Sequence, residues 1–184
     1  MSLLETIYPD RSVRPLAAGQ AAAAQSLPVA LPLDSALTIV TPLAVTAGQA
    51  YAAGQVIGSL MTLPNAVRAA GSGGWLLCTI VNCMSVQTSP LDIIYFKAAP
   101  AASAIADRAA FTLAAVDFDK AVAVVHIGDW TALGTPSMGQ ELGQAARSLV
   151  PSSGSTLYAL AIARGPFSFA AAGGVSVQHQ LTQD

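Results

Sequence analysis

Apolar residues recur at every second position over much of this chain, a period that predicts strands and not helices. The cleanest case lies near its end, where Val175, Val177, His179 and Leu181 alternate with Ser176, Gln178 and Gln180. The same period places Leu37, Ile39, Leu43 and Val45 on one face of a first strand, followed by a turn at Thr46-Ala47-Gly48-Gln49. A second run covers Val56 to Leu63, with Gly58 inside it. Asn65 to Gly74 reads as a loop, because Gly71-Ser72-Gly73-Gly74 holds regular structure only at high entropic cost. Trp75 to Val86 is the longest strand candidate and is apolar on both faces, which predicts a central position. Thr88-Ser89-Pro90 closes it and Leu91 to Lys97 returns, so the two predict a hairpin.

Further along, Ala98 to Ala115 reads as a loop with a turn of helix, and Ala121 to Ile127 as a strand. Gly128 to Pro136 reads as loop, and Ser137 to Arg147 as a short helix or a meandering connection. Thr156 to Arg164 sets Tyr158, Leu160 and Ile162 on one face of a strand and small residues on the other. About seven or eight strands with long connections and little helix predict an all-β fold, a jelly-roll-like β-sandwich.

Residues 1–36 are unlike the rest. They hold Pro9, Pro15, Pro28, Pro32 and the run Ala21–Ala24, and repeated prolines oppose a continuous helix or a central strand. Leu27-Pro28-Val29-Ala30-Leu31-Pro32-Leu33 alternates apolar residues with proline, which favours an extended form. The expected organisation is an extended N-terminal arm at 1–36, lying on a neighbour or partly disordered, ahead of a β-sandwich domain at 37–184. Leu27, Pro28, Val29, Leu31 and Leu33 are the arm's candidate partner-binding residues.

Composition turns this fold prediction toward assembly. Of the 184 residues 53% are apolar and 10% are charged, against a usual quarter. The stretches 35–67, 69–91 and 165–183 contain no Asp, Glu, Lys or Arg. A soluble monomer normally carries more charge, so the sequence predicts either a membrane protein or a surface covered by subunits. A spanning helix needs about 20 consecutive apolar residues, and Trp75 to Val86 is interrupted by Thr79, Asn82 and Ser85. The N-terminal end also lacks the pattern of a signal peptide. Subunit contacts therefore account for the low charge better than a membrane does. With net charge −2 and no Lys/Arg cluster, nucleic acid is not an expected partner either. Cys78 and Cys83, about 16 Å apart if extended, are too far apart for a bridge and read as buried free thiols of a reducing cytoplasm.

Catalytic chemistry is sparse. His126 and His179 stand singly in predicted strands, short of the several histidines of a metal-holding β-barrel enzyme. Asp117-Phe118-Asp119 sets two carboxylates on one side of an extended segment, which fits a calcium ligand pair or a solvated turn. Asp129 beside Trp130 pairs a carboxylate with an aromatic face, as sugar-binding modules do. No nucleophile elbow or phosphate loop is present. The expectation is a protein without cofactor and without enzymatic activity.

Several strings also resemble a known family. Thr46-Ala47-Gly48-Gln49-Ala50-Tyr51-Ala52-Ala53-Gly54-Gln55-Val56-Ile57-Gly58 is similar to an opening common among tailed-bacteriophage virion proteins, in which an aspartate often stands where this chain has Gln55. Pro64-Asn65-Ala66-Val67-Arg68, Leu91-Asp92-Ile93-Ile94-Tyr95-Phe96, Ile105-Ala106-Asp107-Arg108-Ala109-Ala110-Phe111 and Thr156 to Gly165 follow in the family's order. Gln25 to Leu31 resembles the leader ahead of such domains, and the likeness covers most of residues 25–183. It implies a virion structural protein made in the host bacterial cytoplasm, with a capsid decoration (cement) role on the outer capsid surface foremost. Its partners would be the major capsid protein and copies of itself, as a homotrimer or homodimer. The alternatives are a tail, baseplate or neck protein, and a carbohydrate- or receptor-binding module using Asp129 and Trp130.

Overall fold

The structure is a computed structural model, and it describes residues 36–142 and 148–183. The arm residues Leu27, Pro28, Val29, Leu31 and Leu33 lie outside the described residues. Twelve strands are found among those described: β1 (Ala36–Pro42), β2 (Ala50–Tyr51), β3 (Val56–Leu63), β4 (Gly74–Cys83), β5 (Leu91–Phe96), β6 (Ala121–Ile127), β7 (Trp130–Ala132), β8 (Ser137–Leu142), β9 (Ser148–Leu149), β10 (Leu157–Ala163), β11 (Phe167–Ser168) and β12 (Val175–Gln183). A 3-10 helix, Ala115–Lys120, precedes β6.

One sheet runs β1-β12-β4-β8-β7, with β9 also pairing β4, and a second runs β3-β10-β5-β6. Counting only the eight longer strands in chain order, the first sheet holds the first, eighth, third and sixth. The second holds the second, seventh, fourth and fifth. All pairings in these sheets are antiparallel. This interleaving of chain ends with chain middle is the jelly-roll order. The fold expected from the period-two pattern is the one found.

The facing sides of the sheets enclose the main core, built from residues such as Ile57, Leu76, Val81, Ile93, Tyr95, Val125 and Val177. In β10 the small residues Ala159, Ala161 and Ala163 face this core, so the second sheet comes close to its partner. Leu160 and Ile162 point the other way and join Val56, Ile94 and Phe96 in a second cluster. Ile105, Phe111 and Leu113, from the long connection after β5, cover that cluster. The middle of the second sheet is thus buried on both faces, which is why all six residues of β5 are buried.

Four sequence expectations need correction. Trp75 to Val86 is a strand only to Cys83, and although β4 is central, its outer side is open, with Trp75 40% and Leu77 37% exposed. The strands β4 and β5 form no hairpin; residues 84–90 carry the chain from one sheet to the other. A strand apolar on both faces but for one residue, such as β5, gains more from a site with both faces covered than from pairing at an open face. Ser137 to Arg147 is neither helix nor meander through its first six residues, which form β8 against β4 and β7. Gly139 decides this: a Cβ there would lie 2.6 Å from Ile127 Cγ2, so only glycine admits the close approach that seats β8 beside Trp130. The expected loop at Gly128 to Pro136 contains β7.

Candidate functional site

One polar constellation is organised by Asp107, in the connection between β5 and the 3-10 helix. Its Oδ1 accepts from the Tyr51 hydroxyl at 2.8 Å and from the Gly58 amide at 2.7 Å. Its Oδ2 accepts from Thr46 Oγ1 at 2.6 Å. The Tyr51 oxygen in turn accepts from the Thr46 amide at 2.7 Å. Burial holds the Tyr51 hydroxyl above its ordinary pKa, so it stays a donor at neutral pH. Arg108, at φ +64°, sets its guanidinium carbon 5.9 Å from the centre of the Tyr51 ring. Two of the strings that carry the family resemblance, Thr46–Gly58 and Ile105–Phe111, therefore meet at one carboxylate. Its acceptor capacity is largely used within the chain, which makes it a clasp and leaves little of it for a ligand.

Asp117 is a second internal clasp. The segment expected to be extended is instead a 3-10 helix, so Asp117 and Asp119 do not share a face: Asp117 is buried and Asp119 exposed. Asp117 accepts from the amides of Ala101, Ala102 and Ser103 and from Ser103 Oγ, and pairs with Lys120 Nζ at 2.8 Å. The Lys120 ammonium and these N–H donors hold its carboxyl well below the usual carboxylate range. A carboxylate so fully engaged is not a calcium ligand. The same helix leaves Val116 and Phe118 in solvent.

The two histidines occupy opposite environments. His126 is exposed on the outer side of β6, and its Nδ1 lies 2.7 Å from Asp92 Oδ1. Arg164 Nε donates to Asp92 Oδ2 at 2.6 Å. This Asp92–His126–Arg164 trio was not foreseen from sequence. Its signal was present in the lone carboxylate of an otherwise apolar β5, which the register sets opposite His126. His179 is fully buried, with Nδ1 2.8 Å from the Tyr95 hydroxyl, itself 2.7 Å from Thr79 Oγ1. These three residues span both sheets, Thr79 and His179 in one and Tyr95 in the other. Burial pushes the His179 imidazole down to about 3, and the Tyr95 hydroxyl well above its ordinary range.

The remaining candidates are structural. Trp130 donates Nε1–H to the Ser89 carbonyl at 2.7 Å and packs edge-on against Phe167, so it is not a free platform for a sugar ring. Cys78 and Cys83 are buried free thiols, and burial, with Glu141 nearby, raises the Cys78 thiol. Among the described residues, no group of three or more His, Cys, Asp or Glu stands close enough to hold a metal. No helix among them is long and apolar enough to cross a membrane. A cavity of about 280 Å³ opens where β1 and β4 end and β8 and β12 begin, lined by Pro42, Met84, Leu133, Pro136 and Val175 among others and by no charged residue.

The outer face of the first sheet is a further surface feature among the described residues. It presents Thr38 and Val40 from β1, Gln178 and Gln180 from β12, and Trp75, Leu77, Ile80 and Asn82 from β4. No Asp, Glu, Lys or Arg occurs in any of these three strands.

No protein-family model matches the chain, and no curated protein matches it. Among solved structures, the crystal structure of the infectious bursal disease virus VP2 subviral particle aligns with 81% of this chain at 15% identity and a TM-score of 0.23. The alignment spans 40% of that protein's chain. A likeness of this size adds nothing to the strand order described above.

Proposed function

We propose that this chain is a non-enzymatic structural protein of a tailed-bacteriophage virion, and within the virion a capsid decoration protein. In this role it binds the major capsid protein on the outside of the head and bridges neighbouring capsomers, with copies of itself as further partners. The observation that carries the reading is the uncharged outer face of a rigid jelly-roll sheet, in which Val40 is 56%, Trp75 40% and Leu77 37% exposed. Apolar area of this kind contributes about 25 cal/mol per Å² when covered, before association costs. Uncharged Gln and Thr between the apolar positions supply hydrogen bonds without the desolvation cost of ions. The family resemblance of the Thr46–Gly58 and Ile105–Phe111 strings supports the same reading. So does their convergence at Asp107, since one tie then explains the residues of both.

The Pro-rich segment Leu27, Pro28, Val29, Leu31 and Leu33 has a place in this role as a tether along a neighbouring subunit. An extended arm of about 25 residues reaches about 80 Å, and a tethered second contact gains from high effective concentration. Electron microscopy of whole virus particles carrying the chain tests the proposal. Density repeating over the icosahedral shell is the expected result. Density confined to one vertex or the tail moves the protein to a tail, baseplate or neck role. Absence from purified particles overturns the virion reading.

A further inference from the structure

We propose that β1 is a self-pairing edge, through which two copies of this chain join antiparallel across a two-fold axis into one continuous sheet. The inference rests on the self-association included in the proposed role, and names its surface and symmetry.

An exposed strand edge presents a row of unpaired N–H and C=O groups, and monomeric proteins blunt such edges with charge, proline, bulges, brevity or a covering segment. Among the described residues the other edges are blunted in these ways. The edge of β3 is covered at its start by the connection after β5, where Val56 donates to the Ala109 carbonyl and Arg108 donates to the Val56 carbonyl, both at 2.9 Å, and a register shift breaks its pairing with β10. The edge strand β7 has three residues. The edge strand β6 follows Lys120 directly and carries His126 beside Asp92. Among the described residues, none of these devices protects β1 before its last residue, Pro42. Its seven residues pair with β12 in unbroken register, without bulge and without charge.

Self-pairing also fits its residues. A two-fold through Ile39 sets Ala36 opposite Pro42, Leu37 opposite Thr41, Thr38 opposite Val40, and Ile39 opposite its own copy. Leu37, Ile39 and Thr41 are half-buried and would continue the inner face, while Thr38 and Val40 are exposed and would continue the outer one. A charged residue near such an axis meets its own like charge at short range, which destabilises the pair. The absence of charge from β1, and from the β12 residues behind it, removes that repulsion. Thr38 opposite Val40 is a β-branched cross-strand pair of the kind that stabilises sheets.

The test is sedimentation of the full chain beside the Thr38→Lys/Val40→Lys variant. Both substitutions lie on the solvent side of β1, so circular dichroism and the thermal transition should match the original chain. The expected result is a dimer at micromolar concentration for the original and a monomer for the variant. In a second measurement, co-expressed chains bearing Thr38→Cys and Val40→Cys should cross-link to each other under mild oxidation. A variant that stays dimeric, or a failure of the 38–40 cross-link, overturns the edge assignment and leaves self-association standing. An original chain that is monomeric overturns both, and a monomer found in virion density leaves the virion role intact.

Discussion

The hydroxyl of Tyr51 donates to the carboxylate of Asp107 at 2.8 Å, across 56 residues of chain. The same carboxylate holds Thr46 and the amide of Gly58, so one side chain fastens the long connection after β5 to the turn before β3. Hydrogen bonds to a charged group contribute about 1.5–3 kcal/mol each, and a deserted partner adds its desolvation penalty. Asp107→Ala is expected to lower unfolding free energy by about 3 kcal/mol, and Tyr51→Phe by about 1 kcal/mol. Urea denaturation of both single variants and the double variant checks this. The double variant should lose less than the sum, because the two residues share one bond.

Gly58 is tied to the same clasp by its backbone. It sits at φ +75°, and a Cβ there would lie 3.2 Å from Leu43 Cδ2 and 3.4 Å from the Ala44 amide. An L-residue at positive φ is strained by about 1–2 kcal/mol, and the neighbouring Leu43 is itself buried. Gly58→Ala should therefore cost about 2 kcal/mol in the same denaturation experiment. Gly54, also at positive φ but with nothing within 4 Å of its Cβ position, should lose less on the same change.

These two sites show what the sequence revealed and what it withheld. Strand positions were legible because alternation is a local signal: Val56 to Leu63 and Ala121 to Ile127 were read to the residue. Gly58 and Asp107 were visible only as members of separate strings, since nothing local says that residues 49 apart share a hydrogen bond. The supposed β4–β5 hairpin failed for the same reason, because sheet membership depends on which faces the rest of the chain covers. Ser137 to Leu142 shows no apolar alternation, so nothing local in it predicts a strand. Its pairing is fixed by β4 and by the space over Gly139. The Asp117 clasp is hidden in the sequence because an Asp-x-Asp spacing puts both carboxylates on one side in a strand period but on different sides in a 3-10 turn.

Asp117 offers a local readout. Its carboxylate receives the amides of Ala101, Ala102 and Ser103, and these lie in a stretch with little other backbone bonding. Asp117→Ala should raise hydrogen exchange at these three amides by roughly tenfold or more while leaving β10 and β12 protected. Because the carboxyl is held below the usual range, its contribution is complete at neutral pH and is lost as pH falls below that range. Exchange at these amides in the original chain, corrected for the intrinsic pH dependence, should accordingly rise in acid.

His179 predicts a second and separate acid sensitivity. The imidazole is buried with Nδ1 on Tyr95, and its Nε2 has no hydrogen-bonding partner among the described residues. Burial lowers its pKa from 6.5 to about 3 in the folded chain. Above pH 6.5 it is neutral folded or unfolded, and stability is unaffected. Between these values the unfolded chain takes up a proton that the folded chain refuses, so stability declines as pH falls, by about 1.4 kcal/mol per pH unit. The expected loss from this residue between pH 7 and pH 5 is about 2 kcal/mol. His179→Leu removes the titrating group while Tyr95 keeps its bond to Thr79. Chemical denaturation of both chains at pH 7 and pH 5 isolates the effect, since carboxylate contributions cancel in the comparison. The variant should lose about 2 kcal/mol less than the original between the two pH values, and equal losses would show that His179 is protonated within the fold.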